Sequence, residues 1–127
     1  MRYTSVAKPR MRTSDRKIND TLKKQIVRTF AQLIADLKDE KEAEIFLSDF
    51  FNEAELETYS KRLGVSYWLT KKRSYSNIKD NLKVSSATIA SIEKQMHSVG
   101  MKLAIKKLEA EEWANVWSEK IKKFIRQ

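Results

Sequence analysis

Only Gly64, Gly100 and Pro9, in a chain of 127 residues, are glycine or proline. A β-sandwich or barrel turns its chain at regular intervals and needs those residue types to do so. Their scarcity all but excludes an all-β fold, and it excludes collagen-like or Gly/Ser-linker sequence outright. No strand-like alternation and no internal repeat stand out. Hydrophobic residues make up 41% of the chain, too many for full disorder and too scattered for a membrane span. The expected fold class is therefore all-α, a helical bundle.

The composition also narrows the chemistry. There is no cysteine, which removes disulfides, thiol nucleophiles and thiolate-bound zinc together. One histidine, His97, is too little for a histidine metal cage or a catalytic triad, and it is expected at the surface or a helix end. The carboxylates cluster in residues 36–57, without the flanking apolar pocket that general-acid chemistry wants. No glycine loop that could cradle a phosphate is present. Neither an enzyme, a cofactor nor a metal site is expected.

Charge points to the partner. The formal net charge is +9, and it is unevenly spread. Residues 1–17 carry +5, residues 18–70 carry −3, and residues 71–127 carry +7. Two segments seek a polyanion and one avoids it. Lys-rich helices that are merely well solvated are the plainer alternative. The first 17 residues hold no apolar stretch of signal-peptide length, and Pro9 with the absence of a leucine face argues against a mitochondrial presequence. A cytoplasmic location is expected, with no membrane as partner.

Three segments follow from the patterning. Residues 1–13 read as a flexible basic arm, with Arg2, Lys8, Arg10 and Arg12 around Pro9. Residues 14–99 hold the helices. Ser14 or Asp15 is placed to cap the first, whose stripe is Ile18, Leu22, Ile26, Phe30 (or Leu33) and Leu37. The run KDEKEAE breaks it near residues 38–42, and a short helix with Ala43, Phe46, Leu47, Phe50 and Phe51 follows. Asn52-x-x-Glu55 has the form of a capping box and opens a third helix to about residue 70. Gly64 inside it points to close helix approach or to room for a ligand. Residues 14–51 are more apolar than one thin layer needs, which favours burial against a second subunit over a monomeric bundle.

Residues 74–96, SYSNIKDNLKVSSATIASIEKQM, are the informative stretch. Ile78 and Leu82 share one face of a short helix, Val84 lies in a turn, and Ser85 can cap a second helix with Ile89, Ile92 and Met96 inside. This is the helix-turn-helix layout. The outward residues at the second helix's start, Ser85, Ser86, Ala87, Thr88 and Ser91, are small and mostly hydrogen-bonding. A helix that enters the major groove needs slim side chains where it meets base edges and thymine methyls. Thr88 is expected on a phosphate or base edge. Lys71, Lys72 and Arg73 stand where contacts to the DNA backbone would be useful. The turn position before Val84 ordinarily favours glycine because its φ is positive; here it is Lys83, at a cost on the order of 1 kcal/mol.

The run ELETYSKRLGVSYWLTKKRSYSNIKDNLKVSSATIASI resembles the Trp repressor family, in particular an uncharacterised bacterial branch with a Ser-Tyr-x-x-Ile-x-x-x-Leu-x-Val-Ser-x-Ala-Thr-Ile core. The likeness covers roughly residues 53–93, and FLSDFFN resembles the family's preceding helix. Its more specific points are Ala87-Thr88-Ile89 and Arg62, eight residues after Ala54. The resemblance implies an intertwined homodimer that binds a pseudo-palindromic operator in double-stranded DNA. It also implies a possible effector pocket between the third helix and the recognition helix, with Arg62 on one side. The pocket's second arginine aligns with Ser91, which removes a cationic partner for a ligand carboxylate and argues against tryptophan as the effector. The family's base-contacting arginine aligns with Ser76, while Lys79 matches a basic residue of the same helix.

Residues 100–127 read as an amphipathic basic helix. Its apolar residues are Leu103, Ala104, Leu108, Trp113, Trp117, Ile121 and Phe124 (or Ile125). The tryptophans are expected in a core or an interface rather than as a base-stacking platform. Glu109, Glu111, Glu112 and Glu119 argue against a membrane-surface role for its lysines. Three functions fit: a sequence-specific DNA-binding transcription regulator, a sequence-tolerant binder of DNA or structured RNA, and a protein-interaction module.

Overall fold

The computed structural model describes residues 16–126, and their side chains as far as residue 115. Six helices fill most of that span: α1 (Asp20–Asp36), α2 (Glu40–Phe50), α3 (Glu53–Thr70), α4 (Tyr75–Leu82), α5 (Ser86–Gln95) and α6 (Val99–Arg126). No strand occurs among the described residues. The chain divides into two compact units, one ending at Glu57 and one beginning at Thr58. The expected basic arm and the expected caps Ser14 and Asp15 lie outside the described residues.

In the first unit, helix starts are set by short polar side chains. Asn19 caps α1, its Oδ1 accepting from the Thr21 amide at 2.8 Å and the Leu22 amide at 3.3 Å. The helix therefore starts later than a cap at Ser14 or Asp15 would place it, and Ile18 precedes it. Asn is as good an N-cap as Asp or Ser, and Asp20 behind it favours the helix dipole. α2 starts earlier than expected, because Asp39 accepts from the Glu42 amide at 2.9 Å. The acidic run thus holds the break and the first turn of α2. The Asn52–Glu55 capping box closes as read: the Glu55 amide donates to Asn52 Oδ1 at 2.8 Å and the Asn52 amide to Glu55 Oε1 at 3.0 Å.

Phe30 of α1 meets Phe46 and Phe50 of α2, with ring centroids 6.3 and 5.4 Å apart, and Phe46 stacks on Phe50 at 5.0 Å. Leu37, at the end of the expected stripe, is half-buried, while the large aliphatic residues of α1 are uncovered. Leu22, Ile26, Val27, Leu33 and Ile34 are each between 42% and 61% exposed.

The second unit is built on Val65, Ile78, Ile89 and Ile92, with Trp68, Leu69, Tyr75, Leu82 and Val84 packed around them. Burying one such aliphatic side chain contributes about 1.5–3 kcal/mol, so this small cluster is what holds α3, α4 and α5 together. At Gly64 an added Cβ would sit 3.5 Å from Leu82 Cδ1, an ordinary contact. Close approach of α3 to α4 therefore does not by itself require a glycine there.

In α6 the expected apolar face holds at Ala104 and Leu108 and needs correction at Leu103 and Trp113. The buried residue is Ile105, flanked by half-buried Met101, Ala104 and Leu108, whereas Leu103 is 57% and Trp113 64% exposed. Ile105 and Leu103 both adjoin the shared residue Ala104, but of the two Ile105 alone stands at helical spacing from Leu108. Trp113 is not a core residue of this chain. The side chains of Trp117, Ile121, Phe124 and Ile125 lie outside those described.

Candidate nucleic-acid interface

Two serines set the geometry of the helix pair. Ser74 caps α4, its Oγ accepting from the Asn77 amide at 3.1 Å, and Ser85 caps α5 by accepting from the Thr88 amide at 3.1 Å. Each cap satisfies one amide that the first helical turn leaves unpaired. Between the helices the chain reverses at Lys83, whose φ of 56° and ψ of 53° are left-handed. Its amide donates to the Lys79 carbonyl at 3.0 Å and closes α4. The lysine thus adopts the conformation that a glycine would have supplied without steric cost. Ile78, Ile89 and Ile92 are buried at the facing surfaces, with Leu82 and Val84 half-buried beside them. Tyr75 adds a polar tie, its hydroxyl donating to Glu93 Oε1 at 2.9 Å. That hydrogen bond, then desolvation and the carboxylate's charge, raises the Tyr75 phenol above the ordinary 10.0, so it remains a donor.

This framework leaves Ser85, Ser86, Ala87, Thr88 and Ser91 exposed at the start of α5, and Ser76 and Lys79 exposed on α4. They are not equivalent. The Ser85 and Thr88 hydroxyls lie 2.9 Å apart, so both take part in the cap. Ala87, Thr88 and Ser91 also line a half-open cleft of about 430 Å³, whose other wall is Thr58, Lys61 and Arg62 of α3. Arg62 and Ser91 therefore line the same space. The Arg62 guanidinium carbon stands 5.7 Å from the Tyr59 ring centroid.

The three cations at the entry to α4 have different surroundings. Lys71 Nζ pairs with Glu112 Oε2 of α6 at 2.6 Å. Lys72 takes a left-handed φ of 62°, its amide donating to the Leu69 carbonyl at 3.1 Å, and its side chain is exposed. The Arg73 guanidinium lies 4.0 Å above the Trp68 ring and donates to Asn77 Oδ1 at 3.2 Å. Stacking and hydrogen bonding together fix that fork, so less side-chain entropy is lost when it meets an anion. Sequence reasoning named the cations but missed Trp68, Asn77, Tyr67 and Glu112, which hold them. Tyr67, four residues before Lys71, and Asn77, four after Arg73, stood at a helical spacing that could have flagged them; Glu112 gave no such signal.

The sequence profile of the Trp repressor protein family matches residues 25–109. A TrpR-like protein from Eubacterium eligens, known from its crystal structure, is similar with a TM-score of 0.64 and 30% identity, over 72% of this chain and 96% of that one. No curated protein matches the chain. No helix among the described residues is long and apolar enough to cross a membrane. The profile match takes in most of α1, all of α2 to α5 and the start of α6, helix pair included, and on that extent the chain belongs to the Trp repressor family.

Proposed function

We propose that this protein is a sequence-specific DNA-binding transcription regulator that acts as a homodimer. The observation that carries the reading is the α4–α5 pair. Two serine-capped helices rest on one isoleucine core and present small side chains at the start of the second, with a stacked arginine and exposed lysines before and on the first. Its membership in a family of DNA-binding regulators supports the same reading. In this account Ser86, Ala87 and Thr88 meet base edges in the major groove. Lys72, Arg73 and Lys79 meet the phosphate backbone, and Ser76 stands where the family's base-contacting arginine would. The uncovered stripe of α1 is the surface that a second copy buries.

Side chains of the two kinds predict mutants of two kinds. Lys72→Ala removes one phosphate contact, so affinity falls on every duplex and the salt slope shrinks by about one. Ser86→Leu changes which sequences bind and leaves non-specific affinity nearly intact. If Ser86→Leu binds every duplex as the unsubstituted protein does, the groove-reading assignment is wrong. A sequence-tolerant binder of DNA or RNA would then lead; the small, weakly instructive Ser85, Ser86 and Ser91 favour that second reading.

A further inference from the structure

One cation at the mouth of the helix pair is already occupied. Lys71 Nζ lies 2.6 Å from Glu112 Oε2 and 5.3 Å from the Tyr67 ring centroid. The Tyr67 hydroxyl donates to the same carboxylate oxygen. Ammonium, ring and carboxylate form a closed cluster between the end of α3 and α6. Both charged side chains are close to half exposed, 42% and 47%, and ion pairs so placed add little to stability. The fold therefore gives no strong reason for Glu112. Glu112 also lies on α6 beyond residue 109, where the family match ends. To the lysine, a carboxylate oxygen accepting two donors offers what a phosphate oxygen would offer.

We propose that Glu112 is a built-in competitor of the DNA backbone for Lys71, holding that cation in reserve and lowering the protein's affinity for DNA of any sequence. The proposal rests on the DNA-binding reading above. Contact between Lys71 and a phosphate must first break the pair, so one charge-assisted hydrogen bond is exchanged for another and little is gained. Glu112 left beside the duplex then repels it. A change that draws Glu112 away delivers an extra cation to the backbone without touching the base-reading surface.

The test is a cycle of Glu112→Gln and Lys71→Ala in the full chain, with binding to a random-sequence duplex measured against salt. Glu112→Gln should tighten binding by about threefold and steepen the salt slope by about one. On the Lys71→Ala background the same change should gain markedly less. A DNA-free measurement runs beside it: acylation of lysine amines, read residue by residue by mass spectrometry. Lys71 should react more slowly than Lys72 in the unsubstituted protein and approach it in Glu112→Gln. Tyr67→Phe loosens the cluster while keeping the ring; it should move both readouts the same way by less, and it carries the test if Glu112→Gln perturbs folding. Equal gains on the two backgrounds, or Lys71 reactivity indifferent to residue 112, would overturn the proposal. If Lys72→Ala weakens binding while Glu112→Gln does nothing, the competition alone is rejected. If the unsubstituted protein binds no duplex at low salt, the DNA-binding reading falls and the proposal with it.

Discussion

Lys83→Gly should make the protein more stable. Lys83 sits at φ 56° and ψ 53° between the two helices. A left-handed backbone brings the Cβ of an L-residue against the following carbonyl, at about 1–2 kcal/mol. Glycine has no Cβ, but its freer unfolded chain gives back about 0.5–1 kcal/mol. The net gain is about 0.5–1 kcal/mol, which in a domain of this size moves the midpoint of thermal unfolding by about 2–4 °C. The lysine side chain is exposed, so its loss is separated from the backbone effect by Lys83→Ala, which keeps the Cβ. Thermal and urea unfolding of the three proteins, at one protein concentration, decide the matter. Glycine must exceed alanine. If the two are equally stable, the turn carries no strain of this kind and the geometry at Lys83 is misread.

Two further expectations concern the dimer and the effector. Glutamate at both Leu22 and Ile26, which are 48% and 53% exposed on α1, should abolish dimers; a stable monomer of the unsubstituted protein in sedimentation at micromolar concentration would refute the homodimer. Calorimetry with L-tryptophan should show no saturable heat at millimolar ligand, because Ser91 offers no cation to its carboxylate and an unpaired buried carboxylate is costly. Clear binding with a shift in DNA affinity would point to Arg62 acting alone.

The helix pair was legible in the sequence because its determinants are local. Ser74 and Ser85 each act on an amide three residues on, and the apolar spacing of Ile78, Ile89 and Ile92 is set by one helical period. The capping box at Asn52 and Glu55 was legible for the same reason. The start of α1 was not, because Ser14, Asp15 and Asn19 are equally good caps and only the folded chain selects one. The phase of α6 was legible only in part: Ala104 and Leu108 were read on the buried side, but Ile105, at helical spacing from Leu108, packs there in place of Leu103. Some side chains that hold the cations are local, as Tyr67 to Lys71 and Asn77 to Arg73, but Glu112 reaches Lys71 from far along the chain and Trp68 meets Arg73 across a helix end. No periodicity announces those last two pairs.

Selection of bound duplexes from a pool of random sequence tests the central claim most directly. The account predicts enrichment of one pseudo-palindromic sequence, because two copies of α5 related by a twofold axis read two half-sites about one helical turn apart. At the salt concentration used, that sequence should bind at least about a thousandfold more tightly than the unselected pool. Recovery of a pool no different from the input, bound with equal affinity and a steep salt dependence, would contradict it.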